Sequence, residues 1–262
     1  MFYPGKIRVG VLRGGPSSEY KVSLETGKNV LVNLPEEHYL PVDIFISKDG
    51  VWHEGGIARE PHKILRKVDV VFNALHGSYG EDGTVQKILE SFDVPYTGAT
   101  SLPSALGMNK VVSKKIYNNN GLKTPHSVSI PFELLSKEAI KNVYVSMPAP
   151  FVVKPSSSGS SVGVHIVSTL PDLEEAIVEA SNYSPVVLIE EYISGKEGTC
   201  GVIEDFRGSK HYALLPIEIR PKDGFFNYDS KYSNDSQTGA EEICPGNFSK
   251  EEMDKYTEEA KQ

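Results

Sequence analysis

Two patterns predict an α/β lobe built on a parallel sheet, followed by a mainly antiparallel α+β lobe. In the first hundred of 262 residues, the alternating apolar runs "KIRVGVLRGG", "YLPVDIFIS" and "VDVVFNAL" are separated by stretches with helical spacing. Beyond Ser101 the strand-like runs follow one another too closely for a helix at each crossover, except at "LPDLEEAIVEASN".

The first strand, "KIRVGVLRGG", runs into two glycines, and "SSEYKVSLETGKNVLVNL" then carries Val22, Leu24, Leu31 and Leu34 in a roughly helical pattern. "YLPVDIFIS" and "VDVVFNAL" are the next two strands. In "GTVQKILESF", Val85, Ile88, Leu89 and Phe92 share one helical face and lead into a short strand, "VPYTG". Parallel sheets gather ligands at their strand ends, which points to "RGGPSSE" and "LHGSYGEDG". In the second lobe, "SLPSALGMNKVVSKKIYNNNG" reads as one basic helix stopping at Asn-Gly. "PFVVKP", "VGVHIV", "VVLIEEYI", "GTCGVIE" and "YALLPIEI" read as strands. The 27 residues of "RPKDGFFNYDSKYSNDSQTGAEEICPG" show little periodicity, which in a compact domain marks a functional lid or an ordered Ω-loop.

A 39% hydrophobic content over this length supports a substantial core in two or three lobes. No apolar run approaches the roughly 20 residues of a membrane span. The start, "MFYPGKIRVGVL", lacks the basic end and apolar stretch of a secretory signal, so a cytoplasmic protein without membrane association is expected. A formal charge of −8 argues against a nucleic-acid partner. Cys200 and Cys244 show no ligand spacing and are expected as packed thiols.

"VVKPSSSGSSVGVHIV", residues 152 to 167, sets five serines and two glycines between two apolar runs. Small residues let backbone N–H groups approach a ligand, and serine hydroxyls add donors. The stretch therefore suits a group rich in acceptor oxygens such as phosphate, with Lys154 supplying the matching charge. A flexible hairpin connection with solvated serines accounts for this window equally well.

Four segments together resemble the D-alanine-D-alanine ligases of the ATP-grasp superfamily: "VLRGGPSSEYKVSLETG", "ALHGSYGEDGTVQKILESFDVPYTGATSLPSALGMNK", "VVKPSSSGSSVGV" and "FFNYDSKY". Their order and spacing, spread over nearly the whole chain, carry the resemblance. It implies an ATP-grasp fold with a Rossmann-like N-terminal domain over 1–100, a central subdomain over 101–192 and a C-terminal subdomain over 193–262. By this resemblance Ser158, Gly159, Ser160 and Ser161 cover the ATP phosphates, and Lys154 and Lys110 neutralise their charge. Lys154 sits between apolar residues and a proline, where a charge calls for an anion; Lys110, in a basic helix, reads by itself as a surface lysine. In "VVLIEEYISGKEGT", Glu190 and the backbone of Glu191 and Ile193 would face adenine, and Glu197 the ribose hydroxyls. Glu191 stands where the family frequently has lysine, a departure of little weight if only its backbone is read.

The resemblance further implies that Glu19 holds the ammonium of the first D-alanine, linked through hydrogen bonds to Ser160 and Tyr232, with His76 orienting substrate. By themselves, Glu19 reads as a carboxylate at a helix start and His76 as a hydrogen-bonded core histidine. Lys231 and Tyr232, in the "DSKY" lid, would exclude water from an acyl phosphate while Lys231 offsets charge on the transferring phosphoryl group. The implied reaction joins two D-alanines at the expense of ATP, for peptidoglycan precursor synthesis, in a homodimer. The family's Mg2+ ligands and an intermediate-stabilising arginine follow a helix similar to "SKEEMDKYTEEAKQ". The C-terminal lobe is thus expected to be incomplete, the Mg2+ ligands to lie beyond residue 262, and the chain alone to be inactive. Two alternatives stand beside this reading: a ligase making D-alanyl-D-lactate or D-alanyl-D-serine, against which Tyr232 in "SKY" argues, and a non-catalytic nucleotide- or D-alanine-binding module.

Overall fold

A computed structural model describes residues 5–221 and 240–262. The chain divides into two compact units, Met1–Ser113 with Ser157–Gly159, and Lys114–Ser156 with Ser160–Gln262.

The first unit runs β1 (Ile7–Gly14), α1 (Tyr20–Asn33), β2 (Tyr39–Ile46), β3 (Trp52–Glu54), β4 (Ile57–Ala58), α2 (Pro61–Leu65), β5 (Val70–Asn73), α3 (Thr84–Ser91) and α4 (Ser101–Met108). Its sheet has the order β4-β3-β2-β1-β5, with β1 parallel to both β2 and β5. Strand alternation sends Val9 and Val11 to one face, against Val30, Leu31 and Leu34 of the first helix and the segment after it. Leu12, Ile44, Ile46 and Val71 point to the other face, with Ile64, Leu65, Val85 and Leu89. Both faces are covered, as a parallel sheet requires.

Two details depart from the sequence pattern. The buried positions of α1 are Ser23 and Gly27, whereas Val22, Leu24 and Leu31 are half-buried. Small residues let the helix approach β1 so closely that a Cβ at Gly27 would lie 2.5 Å from that of Arg13. The "VPYTG" stretch contributes one parallel bridge, Val71 to Tyr96, rather than a strand. The β3–β4 hairpin turns on Gly55 and Gly56, both with positive φ, a Gly-Gly signal the alternation alone does not isolate.

The expected basic helix divides at Asn109. Its backbone is extended (φ −90°, ψ 100°), and its Oδ1 accepts from the N–H groups of Val111 and Val112 at 3.1 and 3.2 Å. Asparagine caps a new helix here because its side chain replaces missing intrahelical acceptors. That helix is α5 (Lys110–Asn119).

The second unit continues with β6 (Ser127–Pro131), α6 (Lys137–Ser146), β7 (Phe151–Pro155), β8 (His165–Val167), α7 (Leu170–Ser181), β9 (Val186–Glu191), β10 (Glu197–Thr199), β11 (Val202–Phe206), β12 (Ser209–Ala213), β13 (Ile217–Arg220), β14 (Glu241–Ile243) and α8 (Lys250–Glu259). An antiparallel sheet of order β6-β9-β7-β8 forms its centre. Phe151, Val153, Val187 and Ile189 pack there against Leu173 and Ile177 of α7 and Ile140 and Val143 of α6. The other strands form a three-stranded sheet, β10-β13-β14, and a separate β11–β12 hairpin.

Three expected strands are shorter or interrupted. "VGVHIV" pairs only from His165, because Gly163 has φ +68° and Val164 N–H turns back to Ser161 O. "GTCGVIE" breaks at Cys200 and Gly201, and "YALLPIEI" at Leu214 to Pro216, where proline offers no ladder N–H. A hydrogen bond from Leu214 N–H to Gly201 O joins the two breaks. Cys200 is half-buried, but Cys244, just past edge strand β14, is exposed rather than packed.

Two outcomes follow. Gly14 has φ +94°, and a Cβ there would overlap the carbonyl oxygen of Ile46, so Gly14→Ala should lower unfolding stability in urea by about 1–3 kcal/mol. Arg8 donates to both Asp69 carboxylate oxygens, and its guanidinium holds the Asp69 carboxyl down at about 2. A carboxyl depressed on folding contributes stability above its unfolded value near 4 and loses that contribution as pH falls through the folded value. The stability difference between wild type and Asp69→Asn should therefore shrink from pH 4 towards 2; a difference independent of pH would exclude the pair.

Candidate functional site

In the first unit, the turns after β1 and β5 meet around Glu19. Its carboxylate is buried, at the N-cap of α1, and Ser17 Oγ accepts from its backbone N–H at 3.0 Å. Ser23 Oγ accepts from Gly14 N–H (2.8 Å) and donates to Ala74 O (2.7 Å), which ties the two strand ends together. Gly77 has φ +69°, and a Cβ there would lie 2.5 Å from Glu19 Oε2 and from Ser17 Oγ. A Cβ on Gly159 would lie 3.1 Å from the same Oε2. Two glycine backbones thus press against one buried carboxylate.

His76 Nε2 lies 2.9 Å from Thr26 Oγ1, and its Nδ1 lies 3.9 Å from Glu81. Gly77 N–H donates to Glu81 Oε2, and Asp82 accepts from the N–H groups of Tyr79 and Thr84. Burial opposes the charge on Asp82, but those hydrogen bonds hold its carboxyl below the usual range. Lys110 Nζ contacts Ser158 O, and both residues line a cavity of about 530 Å³ with Asn73, Thr97 and Ser104. The lysine that reads by itself as a surface residue is therefore engaged with the serine-rich loop.

In the second unit, Lys154, Glu190, Glu191, Ile193 and Glu197 line one cleft of about 900 Å³. Sequence reasoning selected all five from two separate segments. Glu190 is 5% exposed. Its Oε1 accepts from Lys114 at 2.5 Å and its Oε2 contacts Lys154. Lys114 also donates to Pro125 O at 2.7 Å. The Glu191 carboxylate accepts from His126 N–H at 2.7 Å.

Ser160 and Ser161 have φ of +53° and +58° and Gly163 of +68°, so successive residues of the loop are held in the left-handed region. Backbone of this kind turns N–H groups towards one side, as an anion requires. Ser156 differs from its neighbours: it is buried, and its Oγ lies 2.9 Å from Ser184 Oγ, so it anchors the strand end. Lys231 and Tyr232, and the expected lid around them, lie outside the described residues.

Sequence reasoning missed Lys114, Glu218 and Arg220. Lys114 lies four residues after Lys110 on α5, one basic residue among several there. Glu218 is buried, lines the cleft, and accepts from Arg220 at 2.8 Å and from Asn247 N–H at 3.0 Å. The Arg220 hydrogen bond holds its carboxyl below the usual carboxylate range. Nothing in "PIEIR" distinguishes that carboxylate from an exposed one.

An antiparallel sheet backed by two helices, a serine-rich loop after a lysine-bearing strand, and a cleft at the end of the neighbouring strand make up an ATP-grasp fold. The family models of the D-ala D-ala ligase C-terminus and N-terminus match residues 116–262, and residues 8–63 and 53–99. The chain is 38% identical over 240 residues to the D-alanine–D-alanine ligase of Geobacter sulfurreducens, covering 91% of this chain and 68% of the relative. It is 40% identical over 237 residues to that of Pelotomaculum thermopropionicum, covering 87% and 69%. Among solved structures, D-alanine–D-alanine ligase from Bacillus anthracis matches at 36% identity and a TM-score of 0.68, over 90% of this chain and 71% of that one. VanG D-Ala:D-Ser ligase from Enterococcus faecalis matches at 28% identity and a TM-score of 0.79, over 97% and 81%. The chain belongs to the D-alanine–D-alanine ligase family.

Removing Glu190 would leave two lysine charges facing each other without their common partner. Glu190→Ala should therefore cost about 3–5 kcal/mol in urea unfolding, and a cost below about 1 kcal/mol would show that the three charges are solvated rather than coupled.

Proposed function

We propose that this protein is an ADP-forming ligase that joins two D-alanines into D-alanyl-D-alanine. The cleft lined by Lys154, Glu190, Glu191, Ile193 and Glu197 carries the reading, because these residues supply a cation for phosphate, polar groups and backbone for a base, and a carboxylate for ribose hydroxyls. Family membership supplies the reaction class.

In this reading Lys154, Lys110 and the loop residues Ser158, Gly159, Ser160 and Ser161 hold the ATP phosphates. Glu190 and the backbone of Glu191 and Ile193 meet adenine, and Glu197 the ribose. Glu19 takes the ammonium of the first D-alanine, with Ser160 and Tyr232 in its hydrogen-bond network, and His76 orients that substrate. The carboxylate oxygen of this D-alanine attacks the γ-phosphorus, ADP leaves, and an acyl phosphate forms. The amine of the second D-alanine then attacks the acyl carbon, and phosphate leaves with the C–O bond's electron pair. Lys231 offsets charge on the transferring phosphoryl group, and Tyr232 helps close the site against water.

Mg2+ would accompany the nucleotide. Among the described residues no three His, Cys, Asp or Glu side chains stand together as metal ligands. A Rossmann-like domain over 1–100, subdomains over 101–192 and 193–262, a homodimer and a cytoplasmic location complete the reading. Among the described residues no helix is long and apolar enough to cross a membrane.

Two substitutions separate the substrates. Glu19→Gln should weaken D-alanine binding about 10- to 100-fold, the loss of a charge-assisted hydrogen bond, while sparing ATP. Lys154→Met should do the reverse, since methionine keeps the stem's volume and removes the charge. Calorimetric titration of both ligands measures this. Nucleotide binding without any D-alanine binding would overturn the ligase reading in favour of a nucleotide-binding module.

A further inference from the structure

Lys114, Glu190 and Lys154 form a file of three charges in the second unit. Lys114 stands behind, with a side chain 12% exposed and no place in the cleft lining. Glu190 lies in the middle at 6%. Lys154 lies in front, in the cleft lining, at 23%. Two ammonium groups on one carboxylate leave a formal excess of one positive charge.

A neutral Lys154–Glu190 pair would satisfy itself and offer little to an incoming anion. If Lys154 turned to a phosphate, it would strand a buried carboxylate, whose desolvation cost would be charged against the ligand. Lys114 removes that penalty. It is held by Pro125 O at 2.7 Å and by Glu190 Oε1 at 2.5 Å, so Glu190 keeps a cation whichever way Lys154 turns.

Resting on the nucleotide reading above, we propose that Lys114 is a positioning residue for phosphate binding: it neutralises Glu190 from behind and so releases Lys154 for the nucleotide's phosphates without touching them itself. The effect is electrostatic and should grow with the charge of the ligand.

The test titrates adenosine, ADP and ATP into the whole chain and its variants by calorimetry, with thermal melting beside each titration. Lys114→Met should bind ADP and ATP about 10- to 100-fold more weakly and adenosine within about threefold of wild type. Lys114→Arg, which keeps the charge, should recover ADP binding to within about threefold. Once Glu190→Gln has removed the charge that Lys114 balances, adding Lys114→Met should change ADP affinity less than about threefold. This comparison also decides the matter if Lys114→Met alone fails to fold. Equal losses for adenosine and ADP, or an ADP affinity unchanged in Lys114→Met, would overturn the role assigned to Lys114 while leaving the nucleotide site standing. The same holds for a loss above about tenfold in the Glu190→Gln background. Wild-type protein that binds none of the three ligands would instead overturn the nucleotide reading itself.

Discussion

A carboxylate that is almost wholly buried at the end of a strand needs close partners to offset its lost hydration. Glu190 is such a group, and the surrounding part of the second unit is arranged to supply them. β9 pairs with β7 in a register that sets Val152 opposite Glu190, which brings Lys154 within reach two residues along. The helix break at Asn109 restarts α5 so that Lys114 reaches Glu190 and Pro125 from the other side. Phe151, Val153 and Ile189 of the same sheet are fully buried in its core.

In the first unit, backbone closes around a second buried carboxylate. Glu19 lies beside the turn after β1 and against two glycines: a side chain at 77 would overlap the carboxylate, and one at 159 would crowd it. Ser23 and Gly27 let α1 lie close on β1, and this closeness brings the turn at Ser17 to Glu19 over the end of β5. A larger residue at either position would lift the helix and with it the carboxylate. Arg13 covers the other side of this contact and is itself held by Asp43 through two hydrogen bonds of 2.6 and 2.7 Å.

The residues that face the cleft differ in how each is held. Both Glu191 and Glu218 line the cleft, but the Glu191 carboxylate accepts from His126, whereas that of Glu218 is fixed by Arg220 and Asn247. Residue type alone makes the two alike. Neighbouring strands decide the difference, since His126 comes from β6's approach and Asn247 from the segment after β14.

Alternation and turn chemistry, both local, were enough to determine the parallel sheet, the antiparallel one, the helices from Thr84 and Leu170, and the serine-rich loop. Lys154 was also legible, because a charge set between apolar residues and a proline is conspicuous in a local window, whereas Glu190 and Glu197 were singled out only through the family resemblance. The expected helix across Asn109, the expected strand through Gly163 and the packed Cys244 were not legible, since each turned on a cap, a positive φ or a sheet edge set by distant partners. Lys114 was hidden for the same reason. Within its helix it is one basic residue among several, and only its partner Glu190, 76 residues away, distinguishes it. The sequence by itself determined which segments carry the charges; the tertiary structure decided which charges share a buried carboxylate, because desolvation and ion pairing depend on distances through space that no local window contains.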